Sequence, residues 1–173
     1  MLIYYLLSFF AGALVKLTDY QVDTRKLPVR YIEYLSSFWA GMIIAYLVSA
    51  DSVFSSVFLG VIAANFAIGK VDTKAHQFMF VPIIFSIAIR GIAPPSLLLL
   101  GLFAALAFLD EYAHDRLTAK KKRVQHAVRF LAENRLFLEI FAVVVSVATG
   151  DFGYFLAIAT FDLGYVFTSK LYG

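Results

Sequence analysis

Two copies of one short pattern place paired carboxylates in this chain. Asp19-Tyr20-x-x-Asp23 recurs as Glu111-Tyr112-x-x-Asp115, 92 positions further on. Acids spaced i, i+4 on a helix lie on one face, one turn apart, so each pair can grip a common cation. Two such pairs brought together would make a metal–phosphate site. Asp72/His76 has the same spacing, and Asp110/His114 interleaves with Glu111/Asp115. Oxygen-only sets suit Mg²⁺ or Ca²⁺, whereas His–carboxylate mixtures suit Zn²⁺, Mn²⁺ or Fe²⁺. The acid-only pairs are the ones that recur, which favours Mg²⁺. Lys16, Arg25, Lys70 and Lys74 fall on the same face and suit phosphate oxygens. The competing reading is a set of headgroup-level charges, paired among themselves and solvated.

The elements that must carry these residues are apolar helices. Leu6-Leu7…Ala13-Leu14-x-x-Leu17 precedes the first acid pair, and Leu98-Leu99…Ala105-Leu106-x-x-Leu109 precedes the second without a gap in register. The chain is 61% hydrophobic and 16% charged, with 18 Phe, 10 Tyr and no Cys. Soluble domains run near ~45–50% apolar and ~25% charged, so an all-α integral membrane protein is expected. Absent cysteine excludes disulfides, thiolate ligands and Cys nucleophiles. Seven spans are predicted at about 1–18, 33–50, 52–70, 77–91, 96–113, 134–149 and 152–169. The first reads as a span rather than a cleavable signal, for no basic leader precedes it.

The seven spans divide as a parallel 3+1+3 pseudo-repeat within one domain, 1–173. The halves are about 1–75 and 96–170, and 77–91 links them. Phe66/Phe161 and Gly69/Gly164 give a weaker match between spans three and seven. All Lys and Arg except Arg90 fall after spans one, three and five or at the end of span seven. Short basic loops stay inside, so N-out/C-in is expected, with the charged face cytoplasmic in a multi-pass cell-membrane protein. Lys120-Lys121-Lys122-Arg123 and the amphipathic Val124/Val128/Leu131 stretch read as an anchor on anionic lipid. Nothing pairs this charge with a base-reading surface, so no nucleic-acid partner is expected.

Asp162 lies inside span seven, where a charge is costly unless it faces a polar cavity. Asn65 in span three is similarly deep, and Glu139 sits near the inner end of span six. No GxSxG elbow, P-loop or HExxH occurs.

The segment Asp19-Tyr20-Gln21-Val22-Asp23, followed by Arg25-Lys26 and Pro28-Val29-Arg30, resembles the first aspartate-rich motif of the UbiA-type intramembrane prenyltransferases. Glu111-Tyr-x-x-Asp115 falls where that family has its second, four spans later. The resemblance implies that Asp19, Asp23, Glu111 and Asp115 bind Mg²⁺ and the diphosphate of a prenyl donor. Lys70 corresponds to a basic position on the intervening helix. The departures are Val15-Lys16 for the family's Asn-Asp, Phe108 for a leading acid, and Tyr31 for a closing Pro. A lysine in place of a carboxylate weakens Mg²⁺ binding.

The expected function is therefore a membrane enzyme acting on an isoprenoid or lipid (di)phosphate with Mg²⁺. Asp19, Asp23, Glu111, Asp115 and the cavity-lining Asp162 would be catalytic. Arg30, Lys70 and Lys74 would hold the phosphates, and Asp72, His76, Asp110 and His114 would complete the metal candidates. Two alternatives stand beside it: a 3+1+3 small-solute transporter, with Asp162 and Asn65 lining its path, and a non-catalytic lipid-binding scaffold.

Overall fold

The computed structural model describes residues 1–119 and 136–172, with side chains of the fifth helix described as far as His114. The basic run at 120–123 and the amphipathic stretch after it lie outside the described residues. Seven helices and no strands occur among the described residues: α1 Leu2–Thr24, α2 Ile32–Ala50, α3 Ser52–Ile68, α4 Lys74–Arg90, α5 Leu97–Ala119, α6 Leu136–Thr149 and α7 Gly153–Tyr172. Three stretches are long and apolar enough to cross a membrane: Leu2–Thr24, Ile32–Ala50 and Leu97–His114. Ser52–Ile68 and Leu136–Thr149 are apolar but shorter.

Local chemistry sets the boundaries. Asp51 caps α3, its Oδ1 accepting from the Val53 N–H at 2.8 Å, and Thr73 Oγ1 caps α4 by accepting from His76 N–H. Gly69 ends α3 at φ 81°, a conformation that costs a glycine nothing. The helices bearing the acids run further than their apolar stretches predict. Neither Asp19–Thr24 nor Asp110–Ala119 contains Gly or Pro, so the polar turns simply continue the helix.

α1 packs along α7 and α2, α3 along α5, and α2 along α4. Ser8 Oγ donates to the Ala157 carbonyl and Tyr20 stacks near Tyr172, so α1 and α7 run parallel. Gly60 against Leu100, with Lys70 against Glu111, makes α3 and α5 parallel too. The charged ends of α1, α3, α5 and α7 therefore lie together. Two apolar clusters share α3 and α7. One centres on Ala40, Leu47, Phe54 and Ala157, the other on Val57, Phe103, Val145 and Ile158.

Small residues set the closest approaches. A Cβ on Gly12 would lie 2.0 Å from the Phe161 carbonyl oxygen, and one on Gly164 would lie 1.9 Å from that of Phe9. On the α3–α5 seam, a Cβ on Gly60 would come within 2.8 Å of the Leu100 carbonyl oxygen. Large apolar side chains such as Phe10, Ile84, Phe85, Leu97 and Phe167 point outward. So much exposed apolar surface is what a lipid-facing bundle presents and what a soluble monomer avoids.

Candidate functional site

The charged end of the bundle holds two ionic assemblies and a basic cleft. In the first assembly, Asp19 of α1 is a junction. Its Oδ1 accepts from His76 Nε2 of α4 at 2.9 Å, and its Oδ2 accepts from the Tyr165 hydroxyl of α7 at 2.9 Å. Lys16, one turn back on α1, lies 3.4 Å from the Tyr165 hydroxyl and above its ring. His76 Nδ1 sits 3.6 Å from Asp72 Oδ1, too long for a hydrogen bond but close enough for attraction to a protonated ring.

These contacts raise the His76 pKa above its usual 6.5; the hydrogen bond to Asp19 is the largest cause, burial opposes it, and Asp72 adds to it. His76 precedes the apolar part of α4, so it titrates at the polar end. A raised pKa contributes stability that is complete below about 6.5, the unfolded value. That contribution is lost as pH climbs through the folded value. Melting temperature in detergent is therefore expected to fall on the alkaline side of 6.5, and His76→Gln should flatten that segment. An unchanged pH profile in the variant would show that the pair is not coupled to folding.

In the second assembly Lys70, just beyond α3, forms an ion pair with Glu111 of α5. Glu111 is largely buried, its side chain only 13% exposed. Next to it Asp110 is buried and serves α6 instead, its Oδ2 accepting from the Leu138 N–H at 3.2 Å. That is a contact between helices, which spacing within α5 does not reveal.

The expected sets therefore separate. Asp19 meets His76, with Asp72 beside it, while Glu111 meets Lys70. α1 and α5 share no contact among the described residues, so the first acid pair and Glu111 sit on helices that do not pack together. Asp23 is exposed on the last turn of α1, and Asp162 and His114 are half-buried on α7 and α5. The side chain of Asp115 lies outside the described residues. Among those described, no group of three or more His, Asp or Glu could hold a metal. Asp19 is engaged by two protein donors, and among the described residues no assembled set of carboxylates is present for Mg²⁺.

The cleft is a separate feature, about 690 Å³, between the end of α1, the 25–31 connection and the start of α4. Arg25, Arg30 and Lys74 line it together with Thr73, Ala75 and Glu33. Among the described residues none of the three cations is paired with a carboxylate. Three cations against one acid leave a formal +2, and the first turn of α4 adds its amide donors and the positive end of its dipole. The connection is held rather than loose. Gln21 Oε1 accepts from the Leu27 N–H, and Arg25 and Tyr31 both adopt left-handed backbone at φ 50° and 64°. Such conformations are costly for bulky residues and concentrate where function fixes the chain.

Arg25, Arg30 and Lys74 were legible as basic residues near the acids. Tyr165 and the cleft itself were not. The available signal for Tyr165 was its position, near the end of span seven on the side where the acids gather. No family model matches the chain, and neither a curated protein nor a solved structure matches it.

Proposed function

We propose that this protein is a membrane-embedded binder of a lipid or isoprenoid phosphate, the phosphate held in the cleft of Arg25, Arg30 and Lys74. The observation that carries this is the convergence of three cations that no described carboxylate pairs, with a helix N-terminus, on one concavity at the polar end of a greasy bundle. Planar guanidinium groups match phosphate oxygens in pairs, and Lys74 adds a point charge. The substrate class is the one expected of a prenyltransferase-like enzyme. The headgroup, however, is assigned to the basic cleft rather than to the acid tips. Lys70 leaves the phosphate set because Glu111 engages it.

The reading extends to the whole bundle. All seven helices cross or enter the bilayer, N-out and C-in, with the charged end cytoplasmic where anionic headgroups are plentiful. A 3+1+3 plan is supported by two parallel seams of like build. Gly164 meets Phe9 and Ala13 across α1–α7, and Gly60 meets Leu100 and Ala104 across α3–α5. Gly69 does not take part, being the cap of α3 rather than a packing residue.

The test is binding of a prenyl phosphate against the matching prenyl alcohol, by native mass spectrometry of the detergent-solubilised chain. Each basic residue near an anionic surface contributes about 1 kcal/mol, so Arg30→Gln with Lys74→Gln should weaken the phosphate roughly 30-fold. The alcohol should be unaffected. Equal binding of phosphate and alcohol by the unaltered protein would remove the reading. Turnover of a prenyl diphosphate in the same samples separates an enzyme from a scaffold.

A further inference from the structure

We propose, resting on the phosphate cleft just described, that its ligand lays one hydrocarbon chain down the outer face of α2 into a groove between α2 and α1. The groove holds about 250 Å³ and is lined by Leu7, Trp39, Met42, Ile43 and Tyr46. No charged side chain lines it. It is joined to the cleft by an uninterrupted exposed stripe. Tyr31 lines the cleft, and Leu35, Trp39 and Met42 follow at four-, four- and three-residue steps, which is one face of a helix. Their exposures are 56%, 54%, 52% and 37%.

The dimensions suit a single amphiphile. With a rise of about 1.5 Å per residue, Trp39 and Met42 lie about 12 and 17 Å along α2 from Tyr31. One leaflet of hydrocarbon is about 15 Å deep, so a chain whose phosphate sits in the cleft reaches the groove within its own leaflet. Beyond Met42 the Arg90 guanidinium lies 5.1 Å from the centre of the Tyr46 ring, which places a charge at the far end. The ligand class is thus a phosphate-headed lipid with a chain of membrane length, rather than free phosphate or a short soluble ester.

Trp39 is the chain's single tryptophan, so its fluorescence reports this groove alone. The experiment places the purified full chain in phosphatidylcholine nanodiscs containing a small fraction of either dibromo-acyl phosphatidate or dibromo-acyl phosphatidylcholine. Bromine quenches tryptophan only on close approach. Brominated phosphatidate is expected to quench saturably at a mole fraction at least about tenfold lower than the brominated neutral lipid, given the cations in the cleft. Arg30→Gln/Lys74→Gln should abolish that preference, and inorganic phosphate at high concentration should reduce it.

Equal quenching by both lipids, while mass spectrometry still shows phosphatidate binding that the double substitution removes, overturns the chain assignment and leaves the headgroup cleft standing. Preferential quenching that survives the double substitution also overturns it, because the chain would then be held independently of the cleft. Absence of any phosphatidate preference by mass spectrometry overturns the cleft and this inference together.

Discussion

Gly12→Ala and Gly164→Ala are each expected to destabilise the protein by more than about 3 kcal/mol, beyond the usual range for an overpacked site. The new methyl carbon would lie 2.0 Å from the Phe161 carbonyl oxygen in the first case and 1.9 Å from that of Phe9 in the second. Both obstacles are backbone atoms of a packed helix, so no rotamer change relieves them. α1 and α7 must move apart, and with them go the Ser8–Ala157 hydrogen bond and the Asp19–Tyr165 contact. Thermal unfolding in detergent measures the loss. Combining the two substitutions should add much less than the sum, since the first already opens the seam. Gly101→Ala is the control: a Cβ there meets nothing within 4 Å, and alanine should be neutral or stabilise by about 0.5–1 kcal/mol. Unchanged melting of Gly12→Ala would show that the close approach is absent.

Asp19→Asn should carry the next largest effect, a loss of about 2–3 kcal/mol. Asp19 ties three helices, since it lies on α1 and accepts from α4 and α7 at once. An asparagine keeps one acceptor, sets an N–H₂ against the other donor and removes the charge opposite His76. The pair is largely shielded, with side chains 22% and 23% exposed, so solvent screening trims the effect without abolishing it. Tyr165→Phe removes the neutral donor to Asp19 and the hydroxyl facing Lys16 but keeps the carboxylate, and should cost about 1 kcal/mol. Denaturant titrations of the two single variants and the double variant measure the coupling. A change below about 0.5 kcal/mol for Asp19→Asn would put the junction among ordinary surface substitutions.

Helices were legible because apolar periodicity and caps are local. α2 and α3 lie within two residues of their expected limits, and Asp51 and Gly69 punctuate them as their chemistry requires. The i, i+4 spacing put Asp72 beside His76, although Asp72 lies in the connection before α4 and not on a helix. It could not say that His76 would turn to Asp19, 57 residues away in sequence, or that Tyr165 would join from 146 residues away. Spacing within a helix fixes which side chains share a face; the neighbour that face meets is set by packing. The same limit explains Asp110, which reads as a ligand candidate and accepts from the Leu138 N–H of α6. Gly12 carried no distinguishing mark and Gly164 stood out only by its weak match to Gly69, for a glycine's packing role depends on the backbone opposite.

The α1–α7 seam also bears on biosynthesis. Ser8 and its acceptor Ala157 are 149 residues apart. At a translation rate of about 5–20 residues per second, roughly 7–30 s separate the emergence of the two helices from the ribosome. During that interval Gly12 and Ser8 have no docking partner. A nascent chain stalled before α7 would therefore expose a ready-made target for membrane quality control.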